Sequence, residues 1–249
     1  MKLPPWLQAA GPCLLGLLWL AGCDQSSSTP QESSNVLAIS WQPAFCETAS
    51  RKPECRDISR EDPAAGQFSL HGLWPQPGTN VYCGVEKAVI ETDKSGRWRD
   101  LPIDRLPQPL WDRLRIAMPG TRSALHRHEW IKHGTCMPGA TAQTYFATSI
   151  ALLEAVNASA VGKLFAANIG RELRVSDIRA AFDAGFGPGA GKRVRMACER
   201  DGSRQIIREV TIGLVGKIGE RPDIRSLMAA AGETDSGCPA GIVDPVGNQ

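Results

Sequence analysis

The chain holds only four histidines, and three of them, His126, His128 and His133, fall within eight residues; the fourth is His71. An imidazole has an unperturbed pKa of about 6.5 and changes charge near neutral pH, so a dense group of them points to proton transfer. The segment reads His126-Arg127-His128-Glu129-Trp130-Ile131-Lys132-His133-Gly134-Thr135-Cys136. His-Glu followed by His suggests zinc first, but the HExxH helix sets its ligands four residues apart on one face. Here His128 and His133 are five apart, roughly 140° around a helix. No set of three ligands stands out, so neither a metal site nor a metal-dependent hydrolase is expected.

The same arithmetic gives a more useful grouping. With His128 at zero, Lys132 lies near 40°, Glu129 near 100° and His133 near 140°, while Trp130 and Ile131 fall on the remaining face. A helix here puts four ionisable groups on one arc, anchors itself by the apolar pair and ends at Gly134. An ordinary solvated face carries mixed Lys and Glu and few histidines. His126 lies outside the grouping and is expected at the surface.

A second segment, Phe68-Ser69-Leu70-His71-Gly72-Leu73-Trp74-Pro75, supplies the remaining histidine. Together the two segments resemble the active-site motifs of the ribonuclease T2 family, FxxHGLWP and HEWxKHGTC, in the right order. Trp41-Gln42-Pro43-Ala44-Phe45-Cys46 is similar to that family's first strand and following loop. The resemblance implies an endoribonuclease that cleaves single-stranded RNA without metal or cofactor, through a 2′,3′-cyclic phosphate and with low base specificity. Carried over, His133 is the general base, His71 the general acid and His128 the phosphate ligand. Lys132 and Glu129 stabilise the transition state. Trp74 is expected to stack on, or wall, a nucleobase. Some relatives carry Asp two residues after this tryptophan and use it to read a base; Gln76 stands here, so base preference does not transfer. Activity is expected to follow a bell-shaped pH curve bounded by two histidine-like pKa values. A catalytically inactive RNA-binding or structural protein with the same fold is the alternative, disfavoured because His71, His133 and Lys132 are all present.

Charge and export bear on the same reading. A formal net charge of +2 excludes a protein that grips nucleic acid by bulk charge, so any polyanion must be held by a local cluster. Met1–Gly22 reads as a signal peptide: Lys2, then an apolar run from Ala9 to Leu20, too short to span a membrane comfortably. Leu20-Ala21-Gly22-Cys23 resembles a bacterial lipoprotein processing site, making Cys23 the acylated first residue and a membrane anchor. Asp24 after it resembles an inner-membrane retention signal. The expected location is the periplasmic face of a bacterial membrane, with a soluble periplasmic or secreted protein released by an ordinary signal peptide cut near Gly22 as the alternative, and the expected state is a monomer. Residues 23–35 are polar and read as a flexible tether. With Cys13 and Cys23 removed, Cys46, Cys55, Cys83, Cys136, Cys198 and Cys238 remain, an even set without a CxxC pair. In an exported chain such a set reads as a disulfide framework, with many pairings open. The family resemblance implies Cys46–Cys55, Cys83–Cys136 and Cys198–Cys238.

These residues need a frame to hold them. Val36–Trp41 has the composition of a buried strand stopped by Pro43, and Gln67–His71 alternates as a half-buried strand turning at Gly72, with Phe68 and Leu70 opposite Ser69 and His71. Pro107–Met118 and Ala142–Val156 read as helices, and Ser176 as the cap of another from Asp177 to about Phe182. Arg193–Glu199 and Gln205–Val215 are β-rich. Strands and helices mix without a βαβ rhythm, so the expectation is one α+β domain over residues 36–249, with a mainly antiparallel central sheet flanked by helices and stapled by disulfides.

Overall fold

The apolar run after residue 35 becomes an interior strand. In the computed structural model, which describes residues 32–247, β1 (Asn35–Ser40) lies between β2 (Ser69–Pro75) and β5 (Arg204–Leu214), antiparallel to both. Leu37, Ala38 and Ile39 are fully buried, as expected of a strand covered on both faces. The order continues from β5 through β6 (Ala240–Ile242) to β3 (Glu172–Arg174), and β4 (Val194–Asp201) also pairs with β5. Among the strand pairs of the described residues only the short β5–β6 pairing is parallel, beside isolated parallel bridges at Ile169–Val243 and Met196–Gly237. The expected α+β fold with a mainly antiparallel sheet is therefore observed.

Eight α-helices surround this sheet among the described residues: α1 (Gln42–Thr48), α2 (Lys87–Lys94), α3 (Gln108–Ala117), α4 (Leu125–Lys132), α5 (Ala142–Ala158), α6 (Ala160–Ala167), α7 (Val175–Phe186) and α8 (Ile224–Ala230). Helix α5 does most to place the strand bearing His71. A capping box on Thr141 and Thr144 starts it, and Tyr145, Phe146, Ile150, Leu152, Leu153 and Val156 are buried along it. Strand β2 lies at the sheet edge, and side chains of α5 satisfy its outer backbone groups. Asn157 accepts from the Phe68 N–H and donates to its carbonyl, both at 3.0 Å, and the Tyr145 hydroxyl bonds the N–H and carbonyl of Leu73 at 3.2 and 3.0 Å. An edge strand sealed in this way is held to one position.

Several local expectations are corrected. Strand β2 does not turn at Gly72 but runs on to Pro75, and the register shifts so that Ala38 faces Gly72 while Ile39 faces Leu70. His71 is thus the extra residue of a β-bulge, which brings Gly72 onto its own face instead of the opposite one. Ser69 lies on the His71 side as expected, opposite Phe68 and Leu70, but is 2% exposed rather than solvated. Pro43 does not simply stop a strand; it sits in the first turn of α1, where its missing N–H costs nothing. Ser176 does not cap α7, which starts at Val175 and extends to Phe186. Asn35, expected in the tether, pairs with Pro75 and Leu214, and the Ser34 N–H bonds the Leu214 carbonyl. The signal peptide, Cys23 and most of the tether lie outside the described residues.

All three disulfides implied by the resemblance are present: Cys46–Cys55, Cys83–Cys136 and Cys198–Cys238, with Cα separations of 5.2, 4.9 and 6.0 Å.

Candidate active site

Strand β2 and helix α4 deliver every residue of the expected set to one place. The bulge on β2 aims His71, and Trp74 follows three residues on. Helix α4 carries His128, Glu129 and Lys132, and His133 is its C-cap, where the backbone leaves the helix. Gly134 is needed directly after it, because a Cβ there would lie 2.3 Å from the Trp130 ring.

Glu129 is the hub. Its side chain is 1% exposed, and Oε2 accepts a 2.8 Å hydrogen bond from the Trp74 indole N–H. Its Oε1 lies 3.7 Å from His71 Nε2 and 4.0 Å from His128 Nε2. Burial pushes this carboxyl above its usual range, while His71, His128, the Trp74 hydrogen bond and Lys132 pull the other way. Gly72 makes the arrangement possible: a Cβ there would stand 1.9 Å from Glu129 Oε2 and 2.6 Å from Trp74 Nε1. The Trp74 ring in turn packs against two imidazoles, edge-on to His71 at 5.2 Å and tilted against His133 at 5.5 Å.

The other nitrogen of each outer imidazole is held by a carboxylate. His71 Nδ1 donates to Glu209 Oε2 at 2.5 Å, and His128 Nδ1 donates to Asp93 Oδ1 at 2.7 Å. Asp93, on α2, is 3% exposed and also accepts from the Tyr82 hydroxyl at 2.7 Å. Trp98 stacks on His128 at 4.5 Å. Neither Glu209 nor Asp93 was expected from the sequence.

The environments push the two proposed proton carriers in opposite directions. Burial alone would lower His71, but the hydrogen bond to Glu209 and the charges of Glu129 and Glu209 outweigh it and hold this imidazole above its ordinary value. His133 is 9% exposed, with a buried Nδ1 that has no hydrogen-bond partner among the described residues. Burial, followed by Lys132, His128 and His71, drives it down to about 3. Near neutral pH one imidazole is thus biased to hold a proton and the other to lack one. Lys132 forms no salt bridge or side-chain hydrogen bond among the described residues, which leaves its charge available to an anion.

A cavity of about 550 Å³ opens beside His71, with Gln42, Phe45, Lys52, Trp98 and Glu209 among its walls. Trp74 does not line it. The Gln76 amide turns back onto the Trp74 carbonyl at 3.2 Å. His126, expected at the surface, is instead 7% exposed and packs edge-on to Trp111 at 5.1 Å on the core side of α4; burial and Arg127 lower it to about 4. Among the described residues no cluster of His, Cys, Asp and Glu is arranged to hold a metal ion.

The chain is similar to known ribonucleases. Over 208 residues the chain is 30% identical to Ribonuclease I of Escherichia coli, covering 72% of this chain and 74% of that one. It is 29% identical over 206 residues to Ribonuclease 1 of Arabidopsis thaliana, covering 78% and 81% of the two chains. A mutant of RNase MC1, a bitter gourd protein, crystallised with 5′-GMP, shares the fold with a TM-score of 0.52 at 18% identity, over 85% of this chain and all of that one. Residues 33–227 match the family model described as the Ribonuclease T2 family, and the chain belongs to that family.

Proposed function

We propose that this ribonuclease cuts single-stranded RNA by transphosphorylation that needs no metal, with His133 as general base and His71 as general acid. His133, held neutral, takes the proton of a ribose 2′-hydroxyl; the 2′-oxygen bonds to the adjacent phosphorus as the bond to the 5′-oxygen breaks. His71 Nε2–H gives its proton to that leaving oxygen, and a 2′,3′-cyclic phosphate remains. Lys132 and His128 face the charge that accumulates on phosphorus, and Glu129 aligns His71, His128 and Trp74 around it. DNA has no 2′-hydroxyl, so discrimination against it is chemical. The observation that carries this reading is that His71 and His133 both pack against the Trp74 ring, the first bonded to the Glu209 carboxylate and the second buried with Nδ1 unpartnered among the described residues, surroundings that bias them in opposite directions.

Low base specificity follows from the same surroundings. The cavity beside His71 is walled by Phe45 and Trp98, whose rings give stacking surface without reading a base edge, although one face of Trp98 is taken by His128, and Lys52 and Arg208 lie over Trp98 and Phe45. Trp74 spends its N–H on Glu129, so its contribution to a base is confined to its ring. The protein acts as a monomer, exported and tethered by a lipid on Cys23 at the periplasmic side of a membrane; three disulfides agree with an oxidising compartment. Incorporation of labelled palmitate that disappears in Cys23→Ser checks the anchor.

The test of the chemistry is cleavage of a single-stranded RNA and its fully 2′-O-methylated copy in excess chelator. The expected result is cyclic phosphate ends on the first and no cleavage of the second. Equal cutting of both, or loss of activity in chelator, overturns the mechanism.

A further inference from the structure

The T2 motifs provide the reacting groups but not what fixes the acid, and the sheet supplies that from far away in the sequence. His71 lies on β2 and Glu209 on β5, with β1 between them. The two reach each other across β1, His71 from a bulge against β1 and Glu209 from a strand that keeps its register with β1 but shifts against β4. His71 is the bulged residue between the Ala38–Gly72 and Ile39–Leu70 pairs. On β5 the register against β4 shifts beside Glu209, Ala197 facing Glu209 and Cys198 facing Ile207, so that Arg208 is the extra residue. Glu209 pairs with Ser40 on β1. Cross-strand partners share a face, and this small side chain leaves room for the imidazole and the carboxylate to meet above it. Arg208, next to Glu209, is committed elsewhere, to Glu199 Oε2 at 2.6 Å.

We propose that Glu209 is a positioning residue for the general acid, fixing the His71 ring by its Nδ1–H so that Nε2 delivers its proton into the cleft. The inference rests on the functional reading above and deepens it. An ionised carboxylate only accepts hydrogen bonds, so the 2.5 Å contact places the hydrogen on Nδ1 and directs Nε2 to the side of Glu129. The charged or titratable groups around the ring are Glu209 and Arg208 from β5, Glu129 from α4 and His133 at the end of α4. Of these, Glu209 alone makes a direct hydrogen bond to the ring. With a partner of this kind, the imidazolium is favoured and its orientation is set before substrate arrives.

The experiment compares wild type with Glu209→Gln, an isosteric change that keeps a hydrogen-bond acceptor but removes the charge. In Glu209→Gln the alkaline limb of the kcat/KM profile should move to lower pH, so that activity falls by about 10–100-fold at pH 8 and by much less at pH 5.5, the range of a charge-assisted hydrogen bond. A uniform drop at all pH values means a merely structural role and overturns the proposal, as does an unmoved limb. Long-range ¹H–¹⁵N spectra of the wild-type imidazoles give a readout that needs neither turnover nor a folded variant. His71 should carry its neutral-form hydrogen on Nδ1 and titrate above the ordinary histidine value; a neutral form protonated on Nε2 overturns the assignment. Because the spectra do not depend on RNA cleavage, failure of this inference and failure of the ribonuclease mechanism are read separately.

Discussion

His128 and Asp93 form a part-buried pair, Nδ1 to Oδ1 at 2.7 Å, that joins the motif helix to α2, an element outside either motif. Asp93 is held by the Tyr82 hydroxyl on its other oxygen, and the Trp98 indole N–H reaches the Asp93 carbonyl at 3.3 Å while its ring stacks on His128. The ring of His128 is therefore fixed on both faces of the problem, tautomer and tilt. If His128 binds phosphate, Asp93→Asn should weaken ground-state binding more than chemistry: KM for single-stranded RNA rises about tenfold or more, with a smaller change in kcat. A fall in kcat at unchanged KM would place His128 in proton transfer instead.

The pH profile should be broader on the acid side than two ordinary histidines allow. His133 must be neutral to act as base, and with a value near 3 it stays neutral far below pH 6.5. The kcat/KM profile of the free enzyme should thus keep its acid limb well below the ordinary histidine range and fall in alkali as His71 loses its proton. Measuring kcat/KM from pH 3.5 to 9 at low temperature decides it; an acid limb at 6.5 or above would give the base role to another group.

Gly72 tests how tightly Glu129 and Trp74 are placed. An alanine Cβ falls within 1.9 Å of Glu129 Oε2, and Glu129 is buried with nowhere to retreat. Gly72→Ala should therefore displace the Trp74–Glu129 pair by a sizeable fraction of an ångström or more and lower kcat/KM by about 10²-fold. Near-normal kinetics would show that Glu129 does not align the imidazoles.

How legible this site was in the sequence depended on where each residue lies along the chain. His71, Trp74, His128, Glu129, Lys132 and His133 sit in two contiguous stretches whose composition is distinctive, so they could be read together. Asp93 and Glu209 are single acids among 26 Asp and Glu, joined to their histidines only by the fold. The one local trace of Glu209 is the charged pair Arg208-Glu209 inside the otherwise apolar Ile206–Leu214 run, which marks the bulge. The bulge at His71 was hidden for a similar reason: strict alternation puts Gly72 and Trp74 opposite His71, and the extra residue brings all three to one face. Strand β1 and helices α3 and α5 were visible because long apolar patterns dominate there, whereas short elements such as α2 and β6 carry too few residues to leave a period.

His126 should make the protein sensitive to acid. Its folded pKa is depressed to about 4 by burial and by Arg127. Between about 4 and 6.5 the unfolded chain binds a proton that the folded chain does not, so stability falls as pH drops through this window. His126→Leu removes that linkage and suits a site packed against Trp111 and Phe146. The variant should gain on the order of 2 kcal/mol relative to wild type on going from pH 7.5 to pH 4.5, with His133 still contributing the same slope in both proteins. Urea denaturation at the two pH values reads the difference, and parallel losses in both proteins would exclude His126 as the source.

The Cys83–Cys136 bridge should matter to substrate binding as well as to stability. It closes a separation of 53 residues and so removes about 4 kcal/mol of loop entropy from the unfolded chain. In the folded protein it fastens the segment that leads into α2 to the turn after His133, beside the Tyr82 N–H bond to the Lys132 carbonyl at 2.9 Å. Tyr82 and Asp93 reach His128 through this clamp, so opening it frees the carboxylate that orients the ring. In a Cys83→Ala, Cys136→Ala double variant, measured below its lowered melting temperature, KM for RNA should rise in the same direction as in Asp93→Asn. Adding Asp93→Asn to it should then produce less than the product of the two effects, because both act on one imidazole. Full independence of the two changes would mean that the disulfide supports the fold without supporting His128.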